Sequence, residues 1–498
     1  MKLSELFGNA GLPYPPELGD IPIERIVTDS RHVTPGCLFL CIKGLHTDGH
    51  DYVHDAIQAG AAVIVAEQVR DVCVGGAAAQ IIVLENTRKA AALLYNALYG
   101  EPTKKLKIIG VTGTNGKTSV CFLLRELFEA AGYRCGVLGT VCCHSADGMA
   151  LSPQNTDSLA NMTTPDPEDL YRMLSQMAAD GVEYVLMEVT SHALALHKVD
   201  AIRFDTAVFT NLSRDHLDFH RDMDAYFAAK ARLFGMCRRG VVNRDDAYGE
   251  QLAQRSSCPI VTCSMGEGDY CALGAKSLGN AGSAFQFKTP HGVLDAAVGI
   301  PGRFSVMNAL LAGTVALEHG ISVELVARTL ETTKGVPGRM ERVESGSRED
   351  PAVLIDYAHT PDALEKLLLS AWEFREDGAR ITLVFGCGGD RDRGKRAQMA
   401  RIASRLADFV IVTADNSRGE DPTQIFSDIK KGLDKEKPHR IIPERRRAIE
   451  YAVLQARAKD LVILAGKGHE RYEIDGAGRH PFDEREIVRD ALRKRREK

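Results

Sequence analysis

The sequence predicts an α/β protein of three domains: a small α/β unit, a central doubly wound sheet and a C-terminal Rossmann-like domain. Three observations support this. The chain has 498 residues, and at about 100–200 residues per domain that suggests three. Short apolar, strand-like runs alternate with helical stretches along its whole length. Two breaks, at Glu101-Pro102-Thr103-Lys104-Lys105 and Lys334-Gly335-Val336-Pro337-Gly338, fall at domain-sized intervals. The expected domains are therefore 1–103, 104–336 and 337–498.

Composition narrows the class. The chain is 44% hydrophobic and 26% charged, ordinary for a globular protein and too apolar for a disordered one. Its formal net charge of −5 argues against a general nucleic-acid or anionic-membrane binder, which needs a basic face. A local cationic pocket stays open. The opening MKLSELFGNAGLPYPP has no apolar core or cleavage site, and no run approaches about 18 uninterrupted apolar residues. The 12 cysteines are scattered, with no paired CxxC motif. A cytoplasmic protein with reduced thiols is expected, with Cys142 and Cys143 as packing residues.

In the first block the strands are CLFLCI (37–42), AAVIVA (61–66) and IIVL (81–84). The second opens with the strand KLKIIGVTG, a glycine turn and a helix from about Thr118. There Val120, Leu123, Leu124, Leu127, Phe128 and Ala131 repeat at helical spacing, and Gly132 ends the run. Further strands are EYVLMEV (183–189), DTAVFTN (205–211) and GVVN (240–243). Ser152 to Asp169, rich in Ser, Asn, Thr and Pro, reads as a long functional loop. The third block adds AVLIDY (352–357), ITLVFG (381–386), FVIVTAD (409–415) and DLVILAG (460–466). The closing Arg493-Lys494-Arg495-Arg496 reads as a solvated helix end, where cations suit the macrodipole. Polar candidates cluster where strands end, the edge at which doubly wound sheets bind ligands.

One motif carries chemistry by itself. Gly113-Thr114-Asn115-Gly116-Lys117-Thr118 lies between a strand and a helix. Amides at a helix N-terminus attract anions, and glycines let the chain wrap a phosphate. Lys117 would reach the β/γ-phosphates and the Thr118 hydroxyl would bind Mg²⁺. The strict GxxxxGK[ST] pattern fails, because Val111 stands where its first glycine belongs. No NKxD guanine motif is present. GCGGDRDRG has the wrong glycine spacing for a dinucleotide fingerprint.

With GTNGKT, several other segments resemble the Mur ligase family of ATP-dependent amide-forming enzymes of peptidoglycan synthesis. They are MEVTSHAL (187–194), FTNLSRDHLDFH (209–220), AAKARLF (228–234), NALLA (308–312), PGRME (337–341) and IDYAHTPDAL (355–364). The resemblance covers essentially the whole chain. TDSRHVTPGCLFLCIKG with HTDGHDY is similar to the family's UDP-binding domain, which the related folylpolyglutamate synthases lack. NMTTPDPEDL, MEVTSHAL and DNSRGEDP favour the members that add the third residue of the peptide. The resemblance then implies addition of meso-diaminopimelate to the D-Glu γ-carboxylate of UDP-N-acetylmuramoyl-L-Ala-D-Glu. The alternatives are the L-lysine-adding form and the D-Ala-D-Ala-adding ligase. A regulator that had lost catalysis is disfavoured, since Lys117, Glu188, His216 and Lys230 are all present.

Residue roles follow from that resemblance. ATP is assigned to Gly113, Thr114, Asn115, Gly116, Lys117 and Thr118, with Asn308 on adenine, Arg339 on the phosphates and Asp356 on the ribose; His359 orders the same loop. Two Mg²⁺ ions are implied, with Thr118, Glu188 and His216 as ligands. Lys230 would be carboxylated by CO₂, its carbamate supporting magnesium. Ser30, Arg31 and His46 match the uridine-diphosphate side of the substrate. Thr163, Thr164, Thr190, Ser191 and Lys198 match its middle-domain contacts, where Leu196 replaces a hydrogen-bonding Gln. Arg391, Asp415, Asn416, Ser417, Arg418, Gly466 and Glu470 match the diaminopimelate site. Its segment reads Asp-Asn-Ser-Arg rather than Asp-Asn-Pro-Arg, so a looser loop is expected at Ser417. The expected partners are these small molecules alone, with no nucleic acid, no membrane span and a monomeric chain.

Overall fold

The computed structural model describes residues 1–44, 47–68, 80–141, 143–151, 163–217, 219–347 and 349–497. They form two compact units, residues 1–117 with 128–262 and residues 118–127 with 263–498.

In the first unit, strands Ile26–Val27, Leu38–Leu40, Val63–Ala66 and Gln80–Val83 form a parallel sheet in that order. Alternate side chains leave a strand on opposite faces. Leu38, Leu40, Val63 and Val65 accordingly join Leu6, Phe7, Leu94 and Tyr95 in one core, while Phe39 and Ile64 join Val53 and Ala56 in another.

A second run of strands in this unit places Lys107–Thr112 between Phe204–Phe209 and Tyr184–Glu188. Beyond these lie Cys237–Asn243 on one side and Cys135–Leu138 on the other, all parallel, with the short antiparallel Cys143–His144 at the edge. From Lys107–Thr112 the chain first builds towards one edge and later towards the other. The end of that strand is therefore a topological switch point, where a crevice opens. The expected strands thus form, and the helix after them spans Lys117–Ala130. Val111 is buried and paired opposite Glu188 inside the strand. Extended backbone there needs no glycine, which explains the departure from the strict motif.

The second unit carries an antiparallel meander, Tyr270–Ser277, Ser283–Thr289 and Gly292–Val298. Helices Arg303–Glu318 and Val323–Thr332 follow it. A six-stranded sheet comes next, ordered Glu341–Arg342, Ala352–Asp356, Leu461–Ala465, Ile381–Phe385, Phe409–Val412, His439–Ile441. All its pairings are parallel except the first. The chain returns last to Leu461–Ala465 in the middle, which makes a second switch point. A hairpin, Tyr472–Asp475 with Gly478–Pro481, sits just after it in sequence.

Two expectations need correction. The long loop does not reach Asp169, because a helix begins at Pro167, with proline in its first turn and Glu168 and Asp169 beside the positive helix end. The meander was not anticipated. Its signal was the alternation Ser-Ala-Phe-Gln-Phe-Lys-Thr, in which Phe285 and Phe287 are buried and Gln286 and Lys288 exposed. Among the described residues no helix is long and apolar enough to cross a membrane. The basic C-terminus does form the last turn of helix Glu484–Arg496.

The C-terminal sheet is braced by a fully buried ion pair. Arg445 Nε donates to Glu484 Oε1 at 2.8 Å, with both side chains at 0% exposure. The same guanidinium donates to the carbonyls of Ala414 (3.2 Å) and Ala465 (3.0 Å), just beyond or at the ends of two strands. Removing one partner strands a buried charge, at a cost of about 3–5 kcal/mol, whereas replacing both with apolar groups costs far less. Arg445→Met should lower unfolding stability by that amount, and Arg445→Met with Glu484→Leu should recover only the part owed to the stranded carboxylate, because the Ala414 and Ala465 carbonyls stay unmet. Denaturant midpoints check both.

Candidate active site

The expected phosphate loop, Gly113 to Thr118, follows directly on strand Lys107–Thr112. Gly113 has φ +147°, and a Cβ there would stand 1.9 Å from Thr210 Oγ1, so only glycine lets the chain pass. Gly116 also has a positive φ. The neighbouring strand's exit fixes the loop from the side. Thr114 N–H donates to the Asn211 carbonyl (2.8 Å) and Asn115 N–H to Asn211 Oδ1 (3.0 Å). Thr210 Oγ1 donates back to the Asn115 carbonyl at 2.6 Å.

Two lysines converge on this loop. Lys117 Nζ donates to the carbonyls of Gly113 and Thr114, each at 3.0 Å. Lys230 Nζ donates to the same Gly113 carbonyl at 2.8 Å and lies 4.7 Å from the Tyr226 ring centre. Lys230 is 1% exposed. Burial, then the nearby Lys117 charge, pushes its amine well below the usual lysine range. Tyr226, which the sequence reading missed, ties the region together. Its hydroxyl is 3.2 Å from Thr114 Oγ1, and its ring is 6.0 Å from that of His216. His216 adopts φ +53° and stacks edge-on against His192.

Glu188 ends the adjacent strand and is 2% exposed. Its Oε1 accepts from Thr140 N–H at 2.9 Å and its Oε2 from Thr140 Oγ1 at 3.3 Å. Thr140 Oγ1 is 2.9 Å from Thr163 Oγ1. Thr164 Oγ1 donates to the Glu188 carbonyl (2.9 Å) and to Thr190 Oγ1 (3.3 Å). Thr190 in turn caps helix Ser191–Ala195. Ser191 Oγ is buried with no hydrogen-bond partner among the described residues, and Lys198 pairs with Asp166 at 2.8 Å. The structure thus gathers Thr163, Thr164, Thr190 and Glu188 into one cluster. Ser30 and Arg31 lie in a short 3₁₀ turn, where Arg31 forks onto Asp29 and holds that carboxyl at about 2. His46 lies outside the described residues. Thr118 is buried in the helix that the loop opens.

In the second unit, Asn308 is buried on helix Arg303–Glu318. The Arg339 guanidinium sits 4.6 Å from the Tyr357 ring centre. Asp356 accepts the N–H groups of Met340 and Ala358, both at 2.8 Å. Burial raises its pKa despite Arg339. His359, held to the Tyr357 carbonyl at 2.8 Å, is kept below the usual histidine range by burial.

The expected amino-acid residues come together at the second switch point. Gly389 N–H donates to the Asn416 carbonyl (2.9 Å), Gly419 N–H to Asp390 Oδ2 (2.9 Å) and Arg418 Nη1 to the Gly389 carbonyl (3.0 Å). The loops bearing Arg391 and Arg418 are thereby stitched together. Arg418 N–H also donates to the Ile474 carbonyl at 3.1 Å. These bonds correct the expectation of a looser loop at Ser417, which is itself buried. Missed by the sequence reading, Arg396 is fully buried and forks onto Glu420 (2.9 and 2.7 Å), whose carboxylate also accepts Asp390 N–H. Gly466 has φ +118°, and a Cβ there would stand 2.7 Å from Asp415 Oδ2. Glu470 accepts from Asn416 Nδ2 at 2.8 Å, and burial raises its pKa.

Three family descriptions match in succession: the Mur ligase family catalytic domain over residues 22–99, the Mur ligase middle domain over 111–316 and the Mur ligase glutamate ligase domain over 338–468. The chain belongs to the Mur ligase family and has its three-domain α/β fold. It is similar to the UDP-N-acetylmuramoyl-L-alanyl-D-glutamate–2,6-diaminopimelate ligase of Geobacillus thermodenitrificans, 40% identical over 96% of both chains. The ligase of that name from Caldanaerobacter subterraneus is 42% identical over 95% of both. A solved structure of a ligase of this name covers 100% of both chains at 31% identity, with a TM-score of 0.72. The Mycobacterium tuberculosis folylpolyglutamate synthase complexed with ADP shares the fold at 20% identity and a TM-score of 0.61, over 76% of this chain and 91% of its own.

The crowding at Gly113 yields a test. Gly113→Ala forces a Cβ into Thr210 Oγ1 in a backbone region that L-residues avoid. ATP-dependent turnover should fall at least about tenfold, and the thermal melt should fall as well, since overlap and backbone strain both cost stability. Coupled ADP release and a melting curve check this.

Proposed function

We propose that the chain joins the amino group of meso-diaminopimelate to the D-Glu γ-carboxylate of UDP-N-acetylmuramoyl-L-alanyl-D-glutamate, in peptidoglycan synthesis, with ATP consumed. The observation that carries the substrate choice is a guanidinium and a carboxylate at one strand-end crevice, Arg418 beside the Asn416-held Glu470. That pair is complementary to the distal end of diaminopimelate, which carries both a carboxylate and an ammonium. L-lysine offers only the ammonium.

A carboxylate does not condense with an amine in water until its oxygen becomes a good leaving group. The γ-carboxylate oxygen attacks the γ-phosphorus of ATP, the bond to ADP breaks, and an acyl phosphate forms. The amine then attacks the acyl carbon, phosphate departs and the nitrogen loses its proton. The protein's work is charge neutralisation and alignment. Loop amides from Gly113 to Lys117 and the Lys117 ammonium hold the phosphates. Arg339 is assigned to the phosphates, with Asn308 on adenine and Asp356 on the ribose. Ser30 and Arg31, then Thr163, Thr164, Thr190, Ser191 and Lys198, hold the nucleotide-sugar peptide. Arg391, Asp415, Asn416 and Arg418, with Glu470, orient the incoming amino acid.

The donor set suits magnesium. Among the described residues no cluster of three or more His, Cys, Asp or Glu forms a ready cage, and Mg²⁺ asks for none, because it keeps waters and substrate phosphates as ligands. Glu188, the Thr118 hydroxyl, His216 and a carbamate on Lys230 would hold two ions, which supply charge neutralisation on the phosphates. The Lys230 environment supports the carbamate: a buried amine driven towards its neutral form keeps the lone pair that attacks CO₂, releasing one proton.

Two outcomes test this reading. Lys230→Ala should lose most activity and regain part of it with a short carboxylic acid in the assay; full activity without additive refutes the carbamate. In side-by-side assays meso-diaminopimelate should outperform L-lysine by more than about 100-fold in kcat/KM, since lysine leaves Arg418 unpaired. Equal efficiency refutes the role given to Arg418.

A further inference from the structure

Lys467 is fully buried, yet the chemistry above gives it no part. It follows Gly466 at the end of the central strand of the C-terminal sheet. Its Nζ donates to Asn416 Oδ1 (2.9 Å) and to the Tyr472 carbonyl (2.9 Å), and stands 3.8 Å from the Asp415 carboxylate. Asn416 Oδ1 also accepts the Ile474 N–H at 3.0 Å. Both groups facing that atom of Asn416 are donors, so it must be the carbonyl oxygen. The amide nitrogen is then forced to the other side, where it donates to Glu470 Oε2 at 2.8 Å. Only this orientation satisfies every partner. Reversed, the amide would set its NH₂ against an ammonium and its oxygen against a carboxylate.

We infer that Lys467 is a specificity-determining positioning residue: by fixing the Asn416 amide it aims the Glu470 carboxylate at the substrate's distal ammonium. This rests on the substrate reading given above and deepens it. Lys467 touches no reacting atom. Its effect passes through one side-chain amide, so it concerns only substrates that carry the distal amine. Asp415 keeps the buried charge paired, which lets an ammonium serve here as a hydrogen-bond donor without being stranded. The hairpin Tyr472–Asp475 closes the arrangement, since it supplies both the Tyr472 carbonyl and the Ile474 N–H.

The test compares two substrates. meso-Diaminopimelate carries the distal ammonium, and 2-aminopimelate carries the distal carboxylate alone. Lys467→Met should raise KM for meso-diaminopimelate at least about tenfold, with KM for 2-aminopimelate, ATP and the UDP-substrate changed less than about twofold. Asn416→Ala, which leaves Lys467 paired with Asp415, should raise KM for meso-diaminopimelate several-fold more than KM for 2-aminopimelate, and this difference reads the inference even if the methionine variant fails to fold. Combining the two substitutions should add little to either alone, because they break one chain of bonds. A parallel rise of KM for both amino acids, or no rise for either, overturns the inference, as do fully additive losses. If the unaltered protein turns over L-lysine and not meso-diaminopimelate, the substrate reading fails by itself. The same comparison is then made with L-lysine against norleucine, and the same ratios decide the role of Lys467.

Discussion

A parallel sheet sends all its strands out through one edge, and the backbone carbonyls released there have no partner strand to meet them. This constraint governs the molecule. The groups that answer it are side chains reaching in from neighbouring strand ends, loops and helices. Thr210 and Lys230 do so at the phosphate loop, Thr164 at Glu188, and Arg445 at Ala414 and Ala465. Because unpaired buried carbonyls are costly, these bridges are obligatory, and they fix the residues that stand beside them. Chemistry and stability therefore draw on the same bonds. The Gly113 carbonyl shows this best, since both lysines of the phosphate site are held by that single oxygen.

Local pattern was legible in the sequence. Apolar runs gave most strands of the parallel sheets, though Ile26–Val27, the buried Cys135–Leu138 and His439–Ile441 were too short to be read. A glycine-lysine turn between strand and helix gave the phosphate loop, Val111 notwithstanding. What stayed hidden was any role set by distant neighbours. Tyr226 reads as an ordinary helix aromatic until its hydroxyl is seen 3.2 Å from Thr114 Oγ1. Lys230 reads as a surface lysine on a helix, because nothing adjacent in sequence reveals that the carbonyl of Gly113, over a hundred positions earlier, accepts its hydrogen bond. Arg396, Arg445 and Lys467 were passed over for the same reason. Charged residues are seldom fully buried unless paired, and their partners Glu420, Glu484 and Asp415 lie 24, 39 and 52 residues away. The meander was missed although its alternation was visible, since two phenylalanines in seven residues make a short signal.

The two switch points are built alike yet treat charge in opposite ways. At the first, the Lys117 ammonium joins a loop whose amides already favour anions, while burial drives Lys230 towards its neutral form. At the second, charges of both signs are buried in pairs, and the residues expected to meet the amino acid are arranged around them. A dipolar ligand suits that second environment, because each of its ends finds an opposite charge already oriented and bears little reorganisation cost.

Ser417 occupies the place of a proline, yet its loop is held by hydrogen bonds from Gly389, Arg418 and Gly419. The two means of restraint respond differently to heat. A pyrrolidine ring limits φ covalently at every temperature, whereas a set of hydrogen bonds opens with an enthalpy and slackens as the temperature rises. The restraint on this loop therefore weakens more on warming than a ring's would. The useful thermal range of the loop is set by its cross-links to the neighbouring strand exit and not by its own backbone.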